Sequence, residues 1–193
     1  MERSSVNGPP LIAGSMILET RRTAKSMKFE HAAVVDATPE VVFDLTQDYA
    51  KRLTWDPFLR RAELLGGAVA PGVGVRAWCV ARAGVGMETE YVSFISPRVA
   101  AVKMTRGPWL LETFGGTWEF TAVEGGKTRV TFRYQLRARP RSLAWALEPL
   151  ARWWFSRETR LRVAALEKVL RRARKAPRAG APGAHDAKGG ADK

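Results

Sequence analysis

The chain has 193 residues, 46% of them apolar, with seven Trp, eight Phe and three Tyr, which is enough for one domain of ordinary size around a real core. Its net charge of +13 is uneven: residues 171–193 carry seven Lys or Arg against Asp186 and Asp192, so much of the excess sits in a tail, which argues against a nucleic-acid-binding domain. The lone Cys79 excludes an intrachain disulfide and suits a reducing compartment, and the apolar stretch at 11–18 is far short of the roughly 20 residues a membrane span needs and lacks the flanks of a signal peptide, so a cytoplasmic protein is expected.

Residues 1–27 read as an N-terminal extension, with Met27 a candidate start. Residues 28–36 alternate: Phe29, His31, Ala33 and Val35 on one face, Lys28, Glu30 and Asp36 on the other, the period of a half-buried strand. Thr38-Pro39-Glu40 then suits a helix start, with Thr38 as N-cap, Pro39 first in the helix and Glu40 at the positive end of its dipole. A second short helix is expected over about 49–53, stopped before Trp55-Asp56-Pro57 because a residue preceding proline avoids the α region. Six strand patterns follow, separated by Gly and Pro turns: 62–65, 73–82, 87–91, 100–105, 117–122 and 129–137. In the last hairpin, a two-residue Gly125-Gly126 loop would set Phe120 opposite Thr131 and split the apolar faces. A three-residue loop, Gly125-Gly126-Lys127, sets Phe120 opposite Phe132 and Trp118 opposite Tyr134, and is therefore predicted.

After Pro140 the period becomes 3.6, with Leu143, Leu147, Leu150, Trp154, Leu161, Ala165 and Val169 in one stripe. A helix over 142–174 would be about 50 Å long, and Pro149 should kink or divide it. Residues 176–193 are Ala, Gly, Pro and charge, a disordered basic tail that buries too little to order, which leaves 28–175 as the domain. The order is α+β: one strand, two short helices, six strands, one long helix. A curved seven-stranded antiparallel sheet wrapped around the long C-terminal helix follows, and one helix leaves a cavity in the groove.

Thr38-Pro39-Glu40-Val41-Val42-Phe43-Asp44-Leu45, then Trp55-Asp56-Pro57 and Ala62-Glu63-Leu64-Leu65-Gly66, resembles the N-terminal signature of START-like (SRPBCC) proteins, in the polyketide cyclase/dehydrase-like branch. Residues 147–170 are similar to that branch's closing helix. The resemblance implies the helix-grip fold and binding of hydrophobic molecules such as polyketides, sterols, lipids and quinones. It does not by itself imply a cyclase activity.

Few residues offer chemistry. His31 and His185 are the only histidines and Cys79 has no metal-ligating neighbour in sequence, so no metal site is readable and no cofactor is implied; Cys79 reads as a small buried side chain. The pairs Gly72-Val73-Gly74 and Gly84-Val85-Gly86 lack a third glycine and read as turns. Tyr91 and Tyr134 put hydroxyls on inward faces that show no charge to activate them. Asp56 reads as a turn-forming carboxylate at the cavity mouth, with general base the alternative. Arg152, Arg157, Arg160, Arg162, Arg171 and Arg172 read as a solvated helix face, or else as a contact for acidic lipid or RNA, with Trp153-Trp154 lending interfacial character. The expected ligand wall is Met87, Tyr91, Met104, Trp118, Phe120, Phe132 and Tyr134 from the sheet, with Leu147, Leu150 and Trp154 from the helix. A binding or carrier protein for a small hydrophobic molecule is the first reading. An aromatase/cyclase or dehydratase acting on a polyketide-like chain is the second, and a module docking on RNA, a ribosome or an anionic membrane the third.

Overall fold

Ten elements follow one another in the computed structural model, which describes residues 26–139 and 144–175, without the side chains of 144–148, 150–152 and 175. Strand β1 (Met27–Val35) leads to helices α1 (Pro39–Gln47) and α2 (Tyr49–Trp55). Strands β2 (Leu59–Leu64), β3 (Arg76–Ala81), β4 (Gly86–Ile95), β5 (Val99–Arg106), β6 (Leu111–Val123) and β7 (Lys127–Ala138) follow, then helix α3 (Ala144–Lys175). All seven strands form one curled antiparallel sheet in the order β1-β7-β6-β5-β4-β3-β2. β1 and β2 are thus the two edges, and α1 and α2 carry the chain from one edge to the other. This is the α+β helix-grip architecture, with α3 against the concave face.

Local chemistry sets the helix ends. Thr38 occupies the N-cap of α1 with extended backbone, but its side chain makes no cap bond; its carbonyl accepts from the Val42 amide at 3.1 Å. Asp48 closes α1 and caps α2, its Oδ1 accepting from the Ala50 and Lys51 amides at 2.9 and 3.2 Å. α2 runs one half-turn past the expected end, to Trp55, where Asp56 stops it by accepting the Phe58 amide at 3.0 Å. α3 is continuous through Pro149, with no division there. At 32 residues it is about 48 Å long.

The β6–β7 hairpin departs from expectation by two residues. Val123 pairs with Lys127, so the loop is Glu124-Gly125-Gly126; Trp118 faces Phe132 and Phe120 faces Val130. Gly125 and Gly126 both have positive φ, 75° and 66°, and are placed inside the loop where glycine alone is unstrained, so Lys127 is left free to open the strand. A two-residue shift preserves parity, so Trp118, Phe120, Phe132 and Tyr134 still share the inner face.

The helix stripe, by contrast, follows the expected phase only in part, with Val169 packed on the core as expected. Thr159, Arg162, Val163, Leu166 and Leu170 are buried and Phe155 packs on the core, whereas Leu161 is 42% exposed. Leu143 lies outside the described residues. So do residues 1–25 of the extension and the tail from 176 onward.

The interior has two parts. Beneath α1, Val35, Val42, Phe43, Phe120, Val130, Leu166 and Leu170 form a cluster of buried side chains, with Phe43 edge-on to Phe94 and Phe120 at 5.1 and 5.6 Å. Beyond Trp118, toward the β3–β4 and β5–β6 turns, the space between α3 and the sheet is not filled.

Candidate ligand cavity

That space is a cavity of about 360 Å³. Its wall is mostly apolar: Met87 and Tyr91 of β4, Ala100 and Val102 of β5, Phe114, Gly116 and Trp118 of β6, Phe132 and Tyr134 of β7, and Trp154 and Phe155 of α3. Val85 and Leu110 line it and are also exposed, which marks its mouth.

Of the residues expected on the wall, the structure brings together Met87, Tyr91, Trp118, Phe132, Tyr134 and Trp154. Met104 and Phe120 do not line it. Met104 folds back on Gly107 in the β5–β6 turn, where an added Cβ would strike its sulfur. Phe120 is spent on the packing beneath α1, stacked on Trp118 with centroids 6.1 Å apart. The side chains of Leu147 and Leu150 lie outside the described residues.

The wall also carries charge, against the expectation that the inward faces have none. Arg162, assigned by sequence to the solvated helix face, is buried and lines the cavity, as does Arg52 of α2. Between them stands Asp56, whose side chain is fully buried. Its Oδ2 accepts from Arg52 Nε at 3.0 Å and from Arg162 Nη2 at 2.7 Å, while Oδ1 makes the turn bond to Phe58. So the turn role expected of Asp56 is present, but the residue is an interior counter-ion and not a carboxylate at the mouth. Burial pushes the Asp56 carboxyl up, yet Arg162 and Arg52 outweigh it and hold it below the usual carboxylate range. Arg52 also donates to the Thr46 carbonyl. The Arg162 guanidinium lies over Phe132, Phe58 and Trp118, its carbon 5.0, 5.2 and 5.4 Å from the ring centres, so aromatic faces share in its stabilisation.

Two hydroxyl groups extend this polar corner. Arg162 Nη1 donates to the Tyr134 hydroxyl at 2.7 Å. Burial raises the Tyr134 pKa, so the phenol keeps its proton. Tyr91 donates to Gln47 Oε1 at 3.0 Å, which leaves its oxygen to accept from Tyr49 at 3.2 Å. Gln47 continues to Thr46 Oγ1 at 3.2 Å and Thr46 to the Phe43 carbonyl at 3.0 Å, so this chain ends on backbone. Burial likewise raises Tyr91 and the Cys79 thiol, so Cys79, on the wall, is held as an inert thiol. His31 sits on β1 opposite Phe132 but off the cavity; burial first, then Arg160, lowers its pKa.

Arg52, Tyr49, Gln47 and Phe58 line the cavity too, and none of them is among the site residues expected from the sequence. Arg52 and Asp56 stand four apart on one helix face, a pairing signal that was readable.

A family model described as polyketide cyclase/dehydrase and lipid transport matches residues 26–171. No curated protein matches the chain. Among solved structures, a Thermus thermophilus protein superposes with a TM-score of 0.65 at 19% identity, covering 76% of this chain and 99% of that one. A Streptomyces aromatase/cyclase, Zhui, gives 0.64 at 16% identity over 79% and 98%. A START superfamily protein of Mycobacterium smegmatis gives 0.63 at 10% over 76% and 98%. At these identities the likeness is one of fold. Among the described residues no helix is long and apolar enough to cross a membrane.

Proposed function

The chain belongs to the polyketide cyclase/dehydrase and lipid transport family, and on that premise we propose that it binds or carries a small hydrophobic molecule, of the polyketide, lipid or quinone class, in the cytoplasm. The observation that carries the reading is the cavity of about 360 Å³ under α3, walled mainly by aromatic and aliphatic side chains. A void of that size in a protein interior forfeits packing contacts unless something occupies it. The ligand contacts are Met87, Tyr91, Trp118, Phe132, Tyr134 and Trp154, joined by Phe114 and Phe155. The reading is tested by denaturing freshly purified protein and analysing the organic extract by mass spectrometry. A stoichiometric apolar compound supports it. An empty extract, together with no tryptophan quenching by flavonoids, fatty acids or quinones, contradicts it.

A second reading, an aromatase/cyclase or dehydratase acting on a polyketide-like chain, draws support from the Arg162–Tyr134 contact. A protonated phenol polarised by a guanidinium can donate to a substrate carbonyl. Turnover abolished by Tyr134→Phe, with binding retained, would favour it over carriage. The third reading, docking of a basic helix on RNA or membrane, loses Arg162, which faces inward.

A further inference from the structure

We propose that the molecule held in this cavity is an acid: an apolar body bearing a carboxylate that rests against Arg52, Arg162 and Tyr134. The proposal depends on the ligand-binding reading and adds the charge and orientation of the ligand.

Three observations carry it. Two guanidiniums share a single carboxylate in the interior, so the cluster keeps one positive charge without a counter-ion among the described residues. The cations and their carboxylate are not disposed alike toward the cavity: both arginines line it, whereas Asp56 stands behind them and does not. A ligand therefore meets the cationic side. The second observation is the rest of the lining. From α1 it includes Gln47, from α2 Tyr49 and Arg52, from β3 Cys79, from β4 Tyr91, from β7 Tyr134 and from α3 Arg162; among the described residues no Asp or Glu lines it. No anion of the described wall therefore opposes an anionic ligand. The third is unused donors. Tyr134, 5% exposed, accepts from Arg162, and no described residue accepts its own hydroxyl proton. Arg162 Nε is buried without a partner among the described residues. Buried donors without partners are costly, and an unpaired buried cation more so. A carboxylate entering with its apolar body among Trp118, Phe132, Phe114 and Trp154 supplies the missing charge and takes the phenolic proton as a charge-assisted bond. Tyr91 offers no such donor, because its proton is already given to Gln47.

The test uses the full chain and two acid–ester pairs, 2-naphthoic acid and decanoic acid with their methyl esters, titrated by tryptophan quenching near pH 7. Each acid should bind at least about tenfold more tightly than its ester, the size expected of a charge-assisted bond made in a dry site. Arg162→Leu should erase that ratio. Tyr134→Phe, the milder change, should weaken the acids several-fold and leave the esters where they are, so the outcome does not hang on whether Arg162→Leu folds. Esters that bind the unaltered protein as well as the acids overturn this proposal while leaving the cavity reading standing. If neither member of either pair binds, this proposal falls, and the cavity reading is decided by the extract and the wider quenching panel.

Discussion

The interior beneath α1 and the interior beyond Trp118 are built from the same sheet and the same helix, yet one is solid and the other hollow. In the solid part, side chains from α1, β6 and β7 meet edge to face and the buried groups are almost wholly apolar. In the hollow part the wall is apolar too, but it surrounds a charged triad and hydroxyl groups. The difference lies in what covers the sheet. α1 and the C-terminal half of α3 lie together on the solid part, while over the hollow part lie α3, the α2 turn and, from α1, only its last residue, Gln47, among the described residues. A single helix does not fill a curled sheet, and the space left over is where polar groups collect.

Three substitutions sharpen that contrast, the largest effect first. Phe43→Ala, in the solid part, should cost about 3–5 kcal/mol, the usual range for a deleted core ring, and leave ligand affinity unchanged once the protein is folded. Urea unfolding with a parallel quenching titration checks both; lost affinity in folded protein would show that the two parts are not separate. Asp56→Asn keeps the turn bond to Phe58 but removes the shared counter-ion. Breaking a buried ion network of this kind typically costs about 3–5 kcal/mol, here with ligand binding altered as well. A loss below about 1 kcal/mol would mean that the arginines find other partners or water.

The same carboxyl makes a pH prediction. Its folded pKa lies below the ordinary 3.8, so its stabilisation is complete above that value and is lost as pH falls through the lower folded value. The gap in urea midpoint between the unaltered protein and Asp56→Asn should therefore persist down to about pH 4 and close below it. A gap that closes near neutrality would contradict the assignment. The smallest effect belongs to His31→Gln. His31 is partly buried on β1, off the cavity, and its lowered pKa keeps it neutral near pH 7. Affinity should stay within a few-fold, and loss of all binding or turnover would promote it to a functional residue.

What could be read in advance follows from period and parity. Strand alternation put Trp118, Phe120, Phe132 and Tyr134 on one face, and that survives a hairpin displaced by two residues because both registers have the same parity. Which of these four faces a void was not readable, since core and cavity wall have the same composition; Phe120 became core only because α1 lands on it. The expected helix stripe runs through Leu161, Ala165 and Val169, of which Val169 packs on the core and Leu161 is exposed. The buried phase passes through Thr159, Arg162, Val163, Leu166 and Leu170, and a Thr and an Arg within an apolar arc disguise it. Arg162 therefore reads in the sequence as one more surface arginine. Val163, Leu166 and Leu170 at helical spacing would have given the right phase and drawn Arg162 inward with them.

The central claim is that the space under α3 is a ligand cavity and not core, and Val102→Phe tests it most directly. Val102 lines the cavity on β5 beside Gly116, and Phe in its place would extend into open volume. Overpacking a full core typically costs about 1–3 kcal/mol, whereas filling a void costs little. Thermal unfolding and tryptophan quenching are followed together on the variant and its parent. The expected result is a melting temperature lowered by no more than a degree or two, with the parent's ligand affinity reduced at least about tenfold. A melting temperature that drops sharply, with no compound of the panel ever binding the parent, would show a solid interior and contradict the claim.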